Sequence, residues 1–391
     1  MAPAARWAIV ASLPILAAGF ALARGKKTAE QEAPPPPPVE GVAPTAPPAP
    51  PAPPMFGGAL PLAIETLPPG LATLSAQTCN ACHWAAHDTW AGSAHAHAWS
   101  SPSYQAALVT AGKSTTCLGC HLPLTVQHEQ LASGYLDGDL TRPRLAPNPT
   151  FDASLMSEGV TCAACHVRDG TVLGTHASTN SPHPVTVSAE LGTSAFCATC
   201  HQLTWPEADR PFYDTFGEWE ASGYAKAGVD CQECHMAPQG GVAQPGNATI
   251  GPAHASPTTV ARALTTMVSI PSATVSRGVP LAVTVRITNT GAGHSVPTGS
   301  PFKSWSIETV LIDGAGKELA PAHKVRLGRT VEAAPPWRTL TDERLAAGAQ
   351  REWVATITPN AKGAAGAGGL VVRAVREGES VELRRIPVRI Q

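Results

Sequence analysis

The sequence has little that would place it within a membrane or on a nucleic acid. After Ala23, no stretch is apolar and long enough to cross a bilayer as a helix. Lys and Arg number 27 against 29 Asp and Glu, and a formal net charge of −2 lacks the basic excess typical of nucleic-acid binding. Only five methionines are present, and no cysteine lies outside a single repeated motif. We therefore expect no nucleic-acid partner, and no integral membrane protein once the N-terminal segment has been removed.

That repeated motif is Cys-x-x-Cys-His, which occurs five times. The copies are Cys79, Cys82 and His83; Cys117, Cys120 and His121; Cys162, Cys165 and His166; Cys197, Cys200 and His201; and Cys231, Cys234 and His235. Two thiols at this spacing can both reach the vinyl groups on one edge of a porphyrin, and the next residue then lies under the iron. Zinc ribbons use paired Cys-x-x-Cys motifs, and neither zinc nor redox-dithiol chemistry needs the histidine. The motifs therefore predict five covalently bound c-type haems, with haem iron as the cofactor.

The N-terminal residues 1–23 have the pattern of a signal peptide. Arg6 precedes an apolar stretch that ends in Ala-Leu-Ala at Ala23, a small-x-small cleavage pattern. Because haem c is attached outside the cytoplasm in bacteria, we expect export to the periplasm, or onward to the outer membrane or cell surface. An uncleaved anchor is the alternative, but Arg24 and the lysines that follow would then hold the motifs in the cytoplasm. No cysteine ends the segment, which excludes a lipoprotein anchor.

The remaining chain divides by composition into three parts. Residues 24–70 are rich in Pro and Ala and predict an extended linker. Residues 71–258 hold all five motifs, and the sequence predicts a multihaem cytochrome domain with little regular structure beyond short helices such as 87–98 and 215–225. Five porphyrins in so short a segment would form most of its core.

Residues 259–391 have a different pattern. Alternating, β-branched runs separated by turn residues predict strands at 281–289, 305–313, 352–359, 370–375 and 382–390. Such strands are typical of an antiparallel β-sandwich, and we expect an Ig-like domain. The string NTGAGHSVPTG follows the first of these strands and predicts a loop that projects His294 towards a haem.

The second axial ligand of each iron matters most for function, because an iron with two histidines carries electrons and an open one can bind substrate. Nine histidines lie outside the motifs: His87, His95, His97, His128, His176, His183, His254, His294 and His323. Met156 and Met267 are further alternatives. The supply of histidines exceeds the five required, which favours bis-histidine coordination at low potential.

Several stretches resemble known multihaem cytochromes. The string CHWAAHDTWAGSAHAHAW, with Trp90, Ser93 and His95, resembles the start of cytochromes related to the tetrahaem carrier that takes electrons from hydroxylamine oxidation. FCATCHQ, CQECHM and GHSVPTG are similar to stretches common in bacterial multihaem cytochromes. The resemblance covers about residues 75–300, whereas the fifth motif and the β domain depart from that family.

Local context and this resemblance together select the distal ligands. The resemblance implies His95, and the HPV string before FCATCHQ indicates His183. The full set that we expect is His95, His128, His183, His254 and His294, with His97 and His176 as substitutes. His87 and His323 are expected to be solvated residues.

Electron transfer is the function that this pattern predicts. The chain would relay electrons between a periplasmic or membrane donor and a reductase or extracellular acceptor. One alternative is a haem oxidoreductase acting on nitrite or hydroxylamine at one open haem, although no Cys-x-x-Cys-Lys motif marks such a site. Another is a subunit of a homo-oligomer or multihaem conduit. Haem propionates add negative charge, so we expect redox protein partners with basic surfaces.

Overall fold

The computed structural model describes residues 61–138, 142–205, 207–244, 247–252, 254 and 259–391, with backbone alone for 238–244 and 247–252. The expected signal peptide at 1–23 and most of the expected linker at 24–70 lie outside these residues. Below, residues 71–258 are called the motif region and residues 259–391 the β region. All described residues belong to one compact unit.

Short helices dominate the motif region, and several end at a motif histidine. In the described chain the α-helices are α1 Ala76–Ala91, α2 Pro102–Thr110, α3 Thr115–His121, α4 Ala153–Ser157, α5 Cys162–His166, α6 Ser194–His201, α7 Thr215–Glu220, α8 Gly223–Lys226, α9 Cys231–His235 and α10 Val260–Ala263. None of them is both long and apolar enough to cross a membrane.

The two helices expected from the sequence differ from those observed. The helix expected at 87–98 is the last part of α1, which starts earlier because Ser75 caps it by accepting a hydrogen bond from Gln77 N. It ends before Gly92, well short of residue 98. The helix expected at 215–225 is two helices, because the Ser222 hydroxyl accepts a hydrogen bond from Tyr224 N and starts α8.

The motif region also contains short strands that connect the helices. They are β1 Gln130–Tyr135, β2 Pro143–Pro147, β3 Val167–Arg168, β4 Thr171–Gly174, β5 Val185–Val187, β6 Gln202–Leu203, β7 Tyr213–Asp214, β8 Pro238–Gln244 and β9 Asn247–Pro252. They form two-stranded or three-stranded sheets. Apolar packing here is limited to small clusters, one around Leu124 and Leu155 and another around Trp90.

The β region is sheet-rich. Its strands are β10 Leu264–Ser269, β11 Thr274–Val275, β12 Leu281–Asn289, β13 Ser304–Asp313, β14 His323–Val331, β15 Thr339–Asp342, β16 Gln350–Ile357, β17 Gly366–Arg376 and β18 Glu379–Ile390. One sheet has the order β11-β18-β17-β13-β14-β15 and the other β10-β12-β16. Only the short β11–β18 pairing in these two sheets is parallel.

Side chains from both sheets form one hydrophobic core. Alternate residues of β12, such as Val283, Val285 and Ile287, are fully buried, and they join Ile307 and Leu370 of the larger sheet in one cluster. The period of two is that of a strand with one face in a core. The five strands expected from the sequence overlap β12, β13, β16, β17 and β18, and the antiparallel sheets are confirmed, whereas the Ig-like assignment stays a prediction.

Candidate haem sites

Each Cys-x-x-Cys-His motif lies on about one turn of helix. Residues at positions i, i+3 and i+4 share a helix face, so the two sulfur atoms and the imidazole of a motif project from the same side. The motif histidines His121, His166, His201 and His235 are the last residues of α3, α5, α6 and α9. His83 lies inside α1, but its φ of −107° and ψ of 37° break the helix there.

Four motif histidines face a second histidine from elsewhere in the chain. Ring centroids are 6.5 Å apart for His83 and His183, 6.1 Å for His201 and His95, 6.0 Å for His166 and His254, and 6.0 Å for His235 and His294. Two imidazoles bound to opposite sides of one metal at about 2 Å, each with a ring radius of about 1.1 Å, have centroids roughly 6.2 Å apart. The four pairs therefore fit bis-histidine ligation of a haem iron.

Hydrogen bonds at Nδ1 orient several of these rings. The Nδ1 atoms of His121, His166 and His294 lie 2.7, 2.9 and 3.0 Å from the carbonyl oxygens of Ala98, Leu173 and Ser295, and His183 Nδ1 lies 3.0 Å from Ser181 Oγ. A carbonyl accepts only from a protonated Nδ1, which leaves Nε2 unprotonated and free for iron. Metal-binding histidines commonly have such a partner.

The protein environment also favours the neutral imidazoles that iron binds. His201 is accessible on one side, yet the surrounding atoms desolvate it and its pKa falls to about 3, helped by repulsion from His95 and Lys303. Desolvation likewise lowers the pKa of His95, His166 and His235. Protons therefore compete weakly for these nitrogen atoms at neutral pH.

Glu158 ties the first motif to the third. Its carboxylate accepts hydrogen bonds from Ala76 N at 2.9 Å and Ser75 Oγ at 2.5 Å, at the start of α1. It also accepts one from the hydroxyl of Thr161, the residue before Cys162, at 2.6 Å. One carboxylate thus fixes the starts of two motif helices against each other.

Ser194 ties the fourth motif to the fifth in a similar way. Its hydroxyl donates to Asp230 Oδ1 at 2.7 Å and accepts from Cys231 N at 2.9 Å, while Ser194 N donates to the same carboxylate oxygen at 2.9 Å. Asp230 precedes α9, and Ser194 is the first residue of α6. These bonds set two further motifs side by side.

The cysteine positions extend this pattern to a network of neighbouring motifs. Three pairs of cysteine side chains lie close enough to shift each other's pKa: Cys79 with Cys162, Cys120 with Cys200, and Cys197 with Cys231. Cys165 of the third motif also interacts electrostatically with both cysteines of the fourth. The fourth motif therefore neighbours the second, third and fifth, and the first adjoins the third.

The second motif has a different environment. The Tyr104 ring stacks on the His121 ring with centroids 3.6 Å apart and planes within 10°. Among the described residues, no histidine ring pairs with His121 as in the other four motifs. Beside it lies a small cavity of about 40 Å³, well below the usual size of small-molecule sites. Apolar and aromatic side chains from both regions line the cavity, including Leu108, Phe212, Phe302 and Trp337.

The structure brings together four of the five distal ligands expected from the sequence: His95, His183, His254 and His294. His128, the fifth, is buried, and its Nε2 lies 2.6 Å from the carbonyl oxygen of Leu122. That geometry needs a proton on Nε2, which leaves this nitrogen without a lone pair for iron, and no motif histidine ring pairs with His128 among the described residues.

The other histidines lie away from the ring pairs. His97 and His176, the expected substitutes, are exposed. His87 Nε2 is 3.1 Å from the side-chain amide of Gln77, and His323 starts β14 opposite Thr309. Sequence reasoning missed Tyr104, Glu158 and Glu218, because a lone Tyr or Glu has no spacing signal when its partners are remote in sequence.

Comparisons with known proteins agree with this geometry. Residues 78–138 match a family model described as cytochrome c554 and c-prime. A penta-heme cytochrome c552 from Thermochromatium tepidum is similar in structure, with a TM-score of 0.57 and 19% identity over 82% of this chain and 100% of that chain. The chain therefore has the fold of a multihaem cytochrome c.

Weaker similarity is confined to about a third of the chain. The CARDB domain of the PF1109 protein from Pyrococcus furiosus matches with a TM-score of 0.21 and 16% identity, over 33% of this chain and 87% of that one. A likeness this low does not define the topology. No curated protein matches the sequence.

Proposed function

We propose that this protein transfers electrons through five covalently bound c-type haems, four of them ligated by two histidines. The observation that carries the proposal is the set of four imidazole pairs at 6.0–6.5 Å, each including the histidine of a Cys-x-x-Cys-His motif. When bound, haem c supplies an iron that accepts and releases single electrons. The chain itself would fix the imidazoles and keep neighbouring motifs close.

The spatial arrangement of the motifs supports a branched path of electron transfer. The first motif adjoins the third and the third adjoins the fourth, which has the second and fifth as further neighbours. Electrons entering at the first motif would reach the fourth by way of the third and then have two onward routes. The route to the fifth motif leads towards the β region through His294.

The partners and compartment follow from the cofactor and the charge. Haem c attachment implies export, so we place the protein in the periplasm or beyond, between a periplasmic or membrane donor and a reductase or extracellular acceptor. A net charge of −2, made more negative by haem propionates, favours a basic redox partner. Assembly into a homo-oligomer or a multihaem conduit stays an alternative.

A second candidate function is reduction or oxidation of a small nitrogen compound, such as nitrite or hydroxylamine, at the second motif. Two observations favour it: His121 has no histidine partner among the described residues, and the side chain stacked on its ring, Tyr104, has a buried hydroxyl group. Tyr104 is 9% exposed, and none of the described residues forms a hydrogen bond with its hydroxyl. Such a group can donate a hydrogen bond to a bound ligand.

Ligand titration of the purified holoprotein separates the two functions. A pure carrier would show the same Soret band in each oxidation state whether or not nitrite, hydroxylamine or nitric oxide had been added. A site at the second motif would instead give a saturable shift in about one haem per chain. That shift should be altered in Tyr104→Phe if the hydroxyl contacts the ligand. Consumption of nitrite or hydroxylamine under reducing conditions would make the enzyme the leading function.

A further inference from the structure

The loop that carries His294 connects β12 to β13 and is held from both sides. Within the β region, Asn289 Nδ2 donates to the carbonyl oxygens of His294 at 2.8 Å and Leu345 at 3.0 Å. Val296 and Leu345 exchange backbone hydrogen bonds of 2.9 and 3.0 Å. These bonds fix the loop on both sides of His294, at Asn289 and at Val296. The outer side of the loop contacts the motif region.

On that outer side, Glu218 of α7 makes the principal polar contacts. One carboxylate oxygen accepts hydrogen bonds from Ser295 N at 3.0 Å and Thr298 Oγ1 at 2.7 Å. The other oxygen lies 2.5 Å from Arg344 Nη1, in an ion pair whose side chains are each 12% exposed. Ser295 directly follows His294, so the carboxylate holds the backbone next to the imidazole.

Arg344 is itself held in place. Its guanidinium binds both carboxylate oxygens of Asp342, with Nε at 2.8 Å from one and Nη2 at 2.7 Å from the other. A bidentate pair of this kind fixes the plane of the guanidinium. The position of Glu218 is therefore determined by the β region, although Glu218 belongs to a helix of the motif region.

Close packing leaves the loop little room to move. A Cβ atom added at Gly293 would lie 3.2 Å from both Trp219 Cδ1 and Tyr224 Cβ, in α7 and α8. The Tyr224 hydroxyl donates to the carbonyl oxygen of Thr290 at 2.7 Å. The same two helices that supply Glu218 thus also contact the residue before His294.

We propose that Glu218 is a positioning residue that keeps the His294 imidazole on the iron of the fifth motif. The proposal rests on the proposed function, since it requires His235 and His294 to share a haem iron. Glu218 does not touch the imidazole. It acts through Ser295 and Thr298. Its loss leaves the buried amide of Ser295, the half-buried hydroxyl of Thr298 and the Arg344 guanidinium without their shared acceptor, and the hydroxyl then has only Thr215 Oγ1, at 3.0 Å, as a partner.

Variants of the full-length holoprotein test this proposal by low-temperature EPR and by carbon monoxide binding to the reduced form. In Glu218→Ala we expect about one low-spin haem per chain to become high spin or ligand-exchangeable, with one more carbon monoxide bound per chain than in the wild type. Exogenous imidazole should restore the low-spin signal. Glu218→Gln keeps an acceptor for Ser295 but loses the charge, so we expect a smaller fraction of the same change.

Two further variants make the outcome interpretable. Glu308→Gln is the matched control, because Glu308 is a buried glutamate in ion pairs with Lys324 and Arg373 but lies in β13, away from the His294 loop. It should leave all haem signals unchanged. His294→Ala is the positive control and should give the full spin-state change.

The possible results distinguish an error in the role of Glu218 from an error in the assignment of His294 as a ligand. A changed spectrum in His294→Ala with a wild-type spectrum in Glu218→Ala and Glu218→Gln would overturn the role of Glu218 alone. An unchanged spectrum in His294→Ala would overturn the assignment of His294 itself. A spectral change in Glu308→Gln equal to that in Glu218→Gln would show a general packing effect and would also contradict the proposal.

Discussion

The motif region and the β region are built by different means. In the β region, 22 buried apolar residues form one continuous cluster, whereas the described motif region has clusters of six and three. Their charges also differ: residues 71–258 contain six Lys and Arg against 15 Asp and Glu, and residues 259–391 contain 17 against 10. The β region is thus held together by sheet packing, whereas polar contacts such as those of the half-buried Glu158 carboxylate connect the motif helices.

The largest effect that would test this comparison comes from truncating one leucine in each region. Leu327 of β14 is fully buried in the large core, and Leu124 is equally buried in a cluster of six. We expect Leu327→Ala to lower the free energy of unfolding by about 4 kcal/mol and Leu124→Ala by about 2 kcal/mol, because the smaller cluster has fewer lost contacts. Chemical denaturation followed by circular dichroism measures both. Equal costs would argue that the motif region has a conventional core.

A smaller effect is expected from replacing His128. This variant distinguishes a histidine with a structural role from the proposed iron ligands. His128→Ala should cost about 1–3 kcal/mol of stability, because it leaves the buried carbonyl oxygen of Leu122 without its donor. The number of low-spin haems should stay the same. His183→Ala is the matched variant and should convert one low-spin haem to high spin. A lost low-spin haem in His128→Ala would restore His128 as a ligand.

The contact between the regions should weaken in acid. Desolvation acts to raise the pKa of Asp342, but its hydrogen bond and attraction to Arg344 outweigh that effect and hold the pKa below its usual 3.8. The stabilisation by ionised Asp342 is therefore complete above pH 3.8 and is lost as the pH falls through the lower value in the folded protein. We expect Asp342→Asn to cost about 1 kcal/mol at neutral pH and almost nothing at the acid end. A constant difference between the two proteins from pH 6 to pH 3 would contradict this.

The smallest predicted effect concerns the opposite charges of the two regions. Because the motif region is acidic, reduction by a small cationic complex such as hexaammineruthenium(II) should slow as ionic strength rises. Asp88, which is largely exposed beside the first motif, should contribute slightly, so Asp88→Asn should reduce the rate by less than about twofold. A salt-independent rate would mean that the haems are reached through a neutral or basic surface.

Much of this architecture was predictable from the sequence. Motif spacing is a strong local signal for the motifs themselves, whereas the helices expected at 87–98 and 215–225 match α1, α7 and α8 only in part. Strand periodicity identified β12, β13 and β16 to β18, but it missed β10, β11, β14 and β15. In β14 the alternation of polar and apolar residues is short, because it runs from Lys324 to Leu327 and ends at Gly328. The β14 strand is stabilised by pairing with β13, which no local pattern shows.

The histidine pairs were harder to predict, because each motif histidine is remote in sequence from the ring that it faces. His294 and His183 could be predicted from their flanking turn and proline residues, and both lie against motif histidines. His128 has comparable local context, yet its Nε2 forms a hydrogen bond with the carbonyl oxygen of Leu122 and does not face a motif histidine. Only the three-dimensional structure distinguishes these cases.

The most direct test of the account is a spin count by low-temperature EPR on the oxidised holoprotein, combined with a pyridine haemochrome count of haem per chain. We expect five haems per chain, four of them low spin with bis-histidine signals, and one at the second motif with a high-spin or ligand-responsive signal. Fewer than five haems, or five low-spin bis-histidine haems, would contradict it. The second of those results would also require a histidine partner for His121 that the described structure does not show.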